Sequence, residues 1–238
     1  MTALLEPTYI DLTVGAPAAD PDWEDRSSTA PSVPVGRGRD ATGGGFEWLF
    51  DGSGIAHWRV AGCGEFVVVD DRLESVPGDD LGLFWCTVPA PADFQLRLEW
   101  LRWRHEDSSG VFVRFPCPSA GPYGNPAFTA IQRGFEVQID EVGLPGARAI
   151  HRTGAIFDQH EQRLQAPIVR PPAEWNEIEI TVRGQCYAVQ MNGAPTTEFE
   201  NRDPARGLPS MPGAPSFIGL QVYPGSRVAF RHIAIRAL

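Results

Sequence analysis

The chain has 238 residues, 42% of them hydrophobic, with a formal charge of −10 and an isoelectric point near 4.9. That is enough apolar material for one sizeable core, and an all-β unit of this length need not be divided. The acidic balance and the lack of a lysine-rich stretch exclude a nucleic-acid footprint, and no run of 18 apolar residues predicts a membrane span.

Residues 1–45 form a distinct N-terminal arm. The stretch Asp20-Pro-Asp-Trp-Glu-Asp-Arg-Ser-Ser and the later Gly36-Arg-Gly-Arg-Asp and Gly43-Gly-Gly follow neither structural period. Such a segment cannot bury enough apolar surface to offset its ordering entropy. Only Tyr9-Ile-Asp-Leu-Thr-Val alternates, so the arm is expected to drape over the domain or to pair with a second copy as a homo-oligomer contact. Met1 is followed by no basic and apolar leader, which predicts a cytoplasmic protein.

From Phe46 to Leu238 the alternation of half-buried strands recurs. Phe66-Val-Val-Val and Arg72-Leu-Glu-Ser-Val flank a turn at Asp70-Asp71, followed by Leu83-Phe-Trp-Cys-Thr-Val. Phe94-Gln-Leu-Arg-Leu-Glu-Trp sets Phe94, Leu96, Leu98 and Trp100 on one face. Gly110-Val-Phe-Val-Arg-Phe and Phe135-Glu-Val-Gln-Ile come next, then Glu177-Ile-Glu-Ile-Thr-Val and Tyr187-Ala-Val-Gln-Met. Turns at Gly184 and Asn192-Gly193 predict two hairpins, and the chain closes with Phe217-Ile-Gly-Leu-Gln-Val-Tyr and Val228-Ala-Phe-Arg-His-Ile-Ala-Ile. No segment carries helical periodicity. With 22 Pro and 25 Gly punctuating many short strands, the pattern predicts an all-β antiparallel β-sandwich over residues 46–238.

Several strands carry polar residues on the face turned from the core. By alternation these are Glu136 and Gln138, Arg114 beside Phe112, and Gly219, Gln221 and Tyr223. If the three strands are neighbours, a carboxylate, a fixed cation, two amides and an aromatic ring converge, the mixture a sugar needs. The plain alternative is a solvated face with an Arg114–Glu136 cross-strand pair. Trp85 and Ser109 join the expected substrate-binding set. His105 and His151 lie in loops and are second candidates for a base. Cys63, Cys86, Cys117 and Cys186 fit no zinc motif, leaving reduced thiols or a Cys63–Cys86 bridge.

These strands together resemble the 3-keto-disaccharide hydrolase domain family. Trp48-Leu-Phe-Asp-Gly through Trp58, Ser108-Ser-Gly-Val-Phe-Val-Arg and Phe135-Glu-Val-Gln-Ile-Asp match its motifs in order. So do Thr153-Gly-Ala-Ile-Phe, Trp175-Asn176, Asn192-Gly193, Phe217-Ile-Gly-Leu-Gln and Phe230-Arg-His-Ile-Ala-Ile. The resemblance implies a concanavalin A-like jelly roll with the ligand on a concave sheet. It also implies cleavage of glycosides already oxidised at sugar C3, by elimination and hydration or by hydrolysis at C1. A C3 ketone acidifies the C2 hydrogen, so Glu136, His105 or His151 would serve as base, and a hydrogen-bond donor or a divalent metal would steady the enolate. Three positions depart from the pattern: Ser108 stands for its Asn, Tyr223 for its His and Glu141 for its Asp. The second reading is a repurposed sandwich that binds a carbohydrate or glycosylated metabolite without turning it over.

Overall fold

The computed structural model describes residues 44–143 and 145–238, so the alternating segment at Tyr9 lies outside the described residues. The described residues form fourteen strands: β1 (Glu47–Phe50), β2 (Trp58–Gly62), β3 (Glu65–Val69), β4 (Arg72–Val76), β5 (Gly82–Cys86), β6 (Phe94–Arg102) and β7 (Ser109–Phe115). They continue as β8 (Phe135–Ile139), β9 (Gln162–Leu164), β10 (Asn176–Arg183), β11 (Cys186–Met191), β12 (Ala194–Glu200), β13 (Phe217–Val222) and β14 (Val228–Ala237).

They form two antiparallel sheets. One has nine strands in the order β3-β4-β14-β6-β10-β11-β12-β9, with β1 also on β14; the other runs β2-β5-β13-β7-β8. The all-β antiparallel sandwich that the strand pattern predicts, with the jelly roll that the resemblance implies, is therefore the fold. The three expected turns are in place, each closed by residues with positive φ: Asp70 at 54°, Gly184 at 54°, and Asn192 and Gly193 at 50° and 78°. Asn and Gly tolerate this left-handed region, which suits the right-handed twist of a hairpin.

Between the sheets lies the main core. Leu96, Leu98 and Trp100 of β6 and Ile178, Ile180 and Val182 of β10 meet Val111 and Val113 of β7, Phe135, Val137 and Ile139 of β8, and Ile218, Leu220 and Val222 of β13. Burying such a side chain contributes roughly 1.5–3 kcal/mol before entropy is counted. A second, smaller apolar cluster covers the other side of the five-stranded sheet, built from Leu83, Trp85, Phe112, Phe115 and Phe217 under Ala127 and Ala130. Those two alanines belong to a segment containing α1 (Phe128–Arg133), a helix the periodicity did not reveal. At six residues it is too short to print a 3.6-residue pattern. Its start is local chemistry instead: the Asn125 side chain accepts a hydrogen bond from the Ala127 amide at 3.0 Å, with Pro126 between them.

The cysteines are all free. The Cys63–Cys86 bridge does not form because the two lie at opposite ends of the β2–β5 pair: Cys86 stands opposite Trp58, whereas Cys63 follows Gly62, the partner of Gly82. Burial pushes the Cys86 thiol up to about 11, which keeps it protonated and inert. Among the described residues no helix is long and apolar enough to cross a membrane.

Candidate active site

Because β8, β7, β13 and β5 are neighbours, their outward residues fall into rows. Phe112 pairs with both Glu136 and Gly219, and Gly219 with Trp85, giving the row Glu136–Phe112–Gly219–Trp85. One step along, Gly110 pairs with Gln138, Val111 with Leu220, and Gln221 with Leu83. Continuing that register places Gln221 across from Gly110, so the second row runs Gln138–Gly110–Gln221–Leu83.

Gly110 is the floor of this arrangement. A Cβ at that position would coincide with the Glu136 carboxylate, which leans across the bare backbone. Gln138 and Gln221 flank the same spot, each about 4.8 Å away by strand spacing. All three polar side chains are nearly covered, Glu136 at 5% exposure, Gln138 at 6% and Gln221 at 5%. In each, the Oε1 oxygen is buried without a hydrogen-bond partner among the described residues. Buried acceptors left unsatisfied are costly, and they concentrate where a ligand or water completes the structure.

Burial also sets the chemistry of Glu136. Desolvation, reinforced by the Asp140 carboxylate and opposed by Arg206, pushes its carboxyl up to about 8. A carboxyl near neutrality exchanges a proton readily at ordinary pH. Asp140 is fixed nearby by amide hydrogen bonds from Val142 at 2.9 Å and Gly143 at 2.6 Å. Tyr223 is half-buried just past β13; burial first, then Asp140 and Glu136, raise its pKa, so the phenol stays protonated.

The other expected residues divide. Trp85 shares the face but lies in its apolar half, edge-on to Phe217 at 4.9 Å. Ser109 has the strand parity of Val111 and Val113 and faces inward; its hydroxyl donates to the Gln221 carbonyl at 2.8 Å. It braces the strand that carries Gln221. Arg114 does not join Glu136. Consecutive residues Phe217 and Ile218 pair with Phe115 and Val113, so Arg114 is the extra residue of a β-bulge, with φ of 59°. The bulge turns its side chain to the inner side, where the guanidinium lies 5.9 Å from the Phe94 ring. It donates to the carbonyls of Ala92 and Gly207 and sits 3.4 Å from Asp93. Strict alternation assigned Arg114 to the wrong face because a bulge adds one residue to the count.

Neither histidine is brought to Glu136 by any contact. His105 is exposed in the loop between β6 and β7. His151 has both ring nitrogens engaged: Nδ1 accepts from the Arg148 amide at 3.2 Å, and Nε2 lies 3.1 Å from Asp158. It belongs to the stretch that leads into the segment lining the open edge of β8, where Gln138 N–H donates to Ala155 at 2.9 Å and Phe157 N–H to Glu136 at 2.8 Å. Gly110 and Asp140 were absent from the sequence-based site. The signal for Gly110 was available, since a mid-strand glycine marks close approach of another group.

A divalent metal does not find a ready centre here. Among the described residues no three His, Cys, Asp or Glu are grouped to hold one. The acceptors over Gly110 comprise one carboxylate and two amides, and that carboxyl holds its proton near neutral pH.

A family model described as the 3-keto-alpha-glucoside-1,2-lyase-like domain matches residues 45–236. Three solved structures from Parabacteroides distasonis, each provisionally described as a glycosyl hydrolase, share the fold. The first is 19% identical with a TM-score of 0.62, covering 82% of this chain and 94% of its own. The second is 24% identical at 0.59, with coverage of 81% and 99%. The third is 21% identical at 0.56, with coverage of 94% and 100%. No curated protein matches the chain.

Proposed function

Since the chain belongs to the family of 3-keto-alpha-glucoside-1,2-lyase-like domains, we propose that the face formed by Glu136, Gln138 and Gln221 around Gly110 takes the ring of a 3-keto-glycoside and that Glu136 removes its C2 proton. Family membership supports a carbohydrate-acting role. The observation that carries the finer reading is the trio of unsatisfied oxygens, on Glu136, Gln138 and Gln221, around a carboxyl poised near pH 8. Sugar hydroxyls are the natural donors for such acceptors.

In this reading the C2–H bond breaks toward Glu136 and its electrons pass into the C3 carbonyl as an enolate. Return of those electrons forms a C1–C2 double bond and expels the C1 oxygen with its aglycone, which takes up a proton. Water then adds across the double bond. Tyr223, kept protonated, supplies an O–H donor beside the developing charge. Glu136 acts as base only in its ionised form, so turnover rises with pH through the region around 8.

The test is aglycone release from a 3-keto-glucoside. Glu136→Gln lowers turnover by about 10²–10⁴-fold with the far-UV circular dichroism spectrum unchanged. Unchanged turnover removes Glu136 from the mechanism. A second reading, a sugar-binding sandwich without turnover, draws support from one observation: neither His105 nor His151 contacts Glu136. Under that reading, unoxidised glycosides titrate the protein with the same affinity as their 3-keto forms.

A further inference from the structure

At the far end of β6, on the other sheet, a second set of unsatisfied groups has the opposite chemistry. Trp100 and Arg102 are two residues apart and so lie on one face of the strand. Trp100 is fully buried and Arg102 is 3% exposed. The indole Nε1 of Trp100 and both Nε and Nη1 of Arg102 are buried with no hydrogen-bond partner among the described residues. Every unsatisfied atom in this pair is a donor. These assignments do not depend on a side-chain flip, because indole and guanidinium have no acceptor to exchange.

Arg102 also has no carboxylate partner among the described residues. The guanidinium lies 5.6 Å from the Trp100 ring, a contact that offsets only part of the cost of burying a fixed charge. The nearby acids are committed elsewhere. Asp107 binds Arg104 and the Arg227 amide, and Glu74 binds Arg72 and Arg227. The backbone at this point is anchored, since the Arg102 carbonyl accepts the Ala173 amide at 2.7 Å.

We propose that Trp100 and Arg102 form a binding site for a small inorganic anion at the end of the sandwich, on the sheet opposite the one that carries Glu136. A halide or a phosphate-type oxyanion would supply an acceptor to these unpartnered N–H donors and neutralise the guanidinium. The site is independent of the proposed lyase activity. It would secure the loops that follow β6 and precede β10, the latter held to Arg102 through Ala173.

The experiment is thermal unfolding in chloride-free buffer with added chloride, bromide or phosphate, alongside a bromide soak of crystals read by anomalous scattering. Binding raises the wild-type Tm by about 2–4 °C over that of Arg102→Met at equal salt. Trp100→Phe, which loses one donor, shows an intermediate shift. Response to halide and phosphate alike indicates a general anion pocket, whereas response to phosphate alone indicates an oxyanion site; both support the proposal. Equal salt response in wild type and Arg102→Met overturns it. If Arg102→Met fails to fold, density for bromide or for phosphate beside Arg102 in wild-type crystals soaked with each supports the site, and the absence of both refutes it.

Discussion

Glu136 carries two separable consequences of one burial. Its ordinary pKa is 4.5 and the folded value is about 8. Between those values the folded protein keeps a proton that the unfolded chain has released. Stability from this group is therefore full below about pH 4.5 and is lost as pH rises through 8. Glu136→Gln cannot ionise and lacks that slope, so its Tm advantage over the wild type grows between pH 5 and pH 8.5. Parallel melting curves across this range would show the carboxyl to be ordinarily solvated. Arg114 supports a different expectation. Its partners are the Ala92 and Gly207 carbonyls, so Arg114→Ala costs about 2–4 kcal/mol of stability in denaturant titration and leaves sugar affinity unchanged. A loss of affinity without loss of stability would return it to the site.

Among the elements, β7 explains both what the sequence revealed and what it hid. Its first half keeps strict alternation, so Phe112 falls on the face of Glu136 and Gln138, as the apolar pattern predicts. Its bulge at Arg114 left no mark in the apolar pattern, because Val113 and Phe115 look equally well placed with or without an extra residue between them. The hairpins were legible because Asp70, Gly184 and Asn192-Gly193 advertise positive φ locally. α1 and the edge strand β9, six and three residues long, are too short to leave a periodic trace. A prediction at this scale concerns the floor of β7. Gly110→Ala pushes the Glu136 carboxylate aside, so turnover falls by at least tenfold while the hydrophobic core is untouched. An active Gly110→Ala protein would mean that the carboxylate position is not critical.

For the whole molecule, the loop from β6 to β7 ties the two sheets together, and Asp107 is its fastener. Fully buried, it accepts from the Arg104 amide at 2.7 Å, the Arg104 guanidinium at 2.6 Å and the Arg227 amide at 3.1 Å. Asp107→Ala removes these acceptors at once and costs about 2–4 kcal/mol, measured by urea unfolding. A cost under 0.5 kcal/mol would show the loop to be held by other contacts.

The pairing of β1 with β14 has a mechanical consequence. Glu47 stands opposite Ile235 and the strands run antiparallel, so the two ends of the described domain leave the sheet on the same side. A force applied between them loads the hydrogen bonds of this pair one after another, like a zipper, instead of all together in shear. Stretched between its ends, the sandwich would yield first by peeling β1 from β14, at low force, with the Glu136 face of the other sheet still intact.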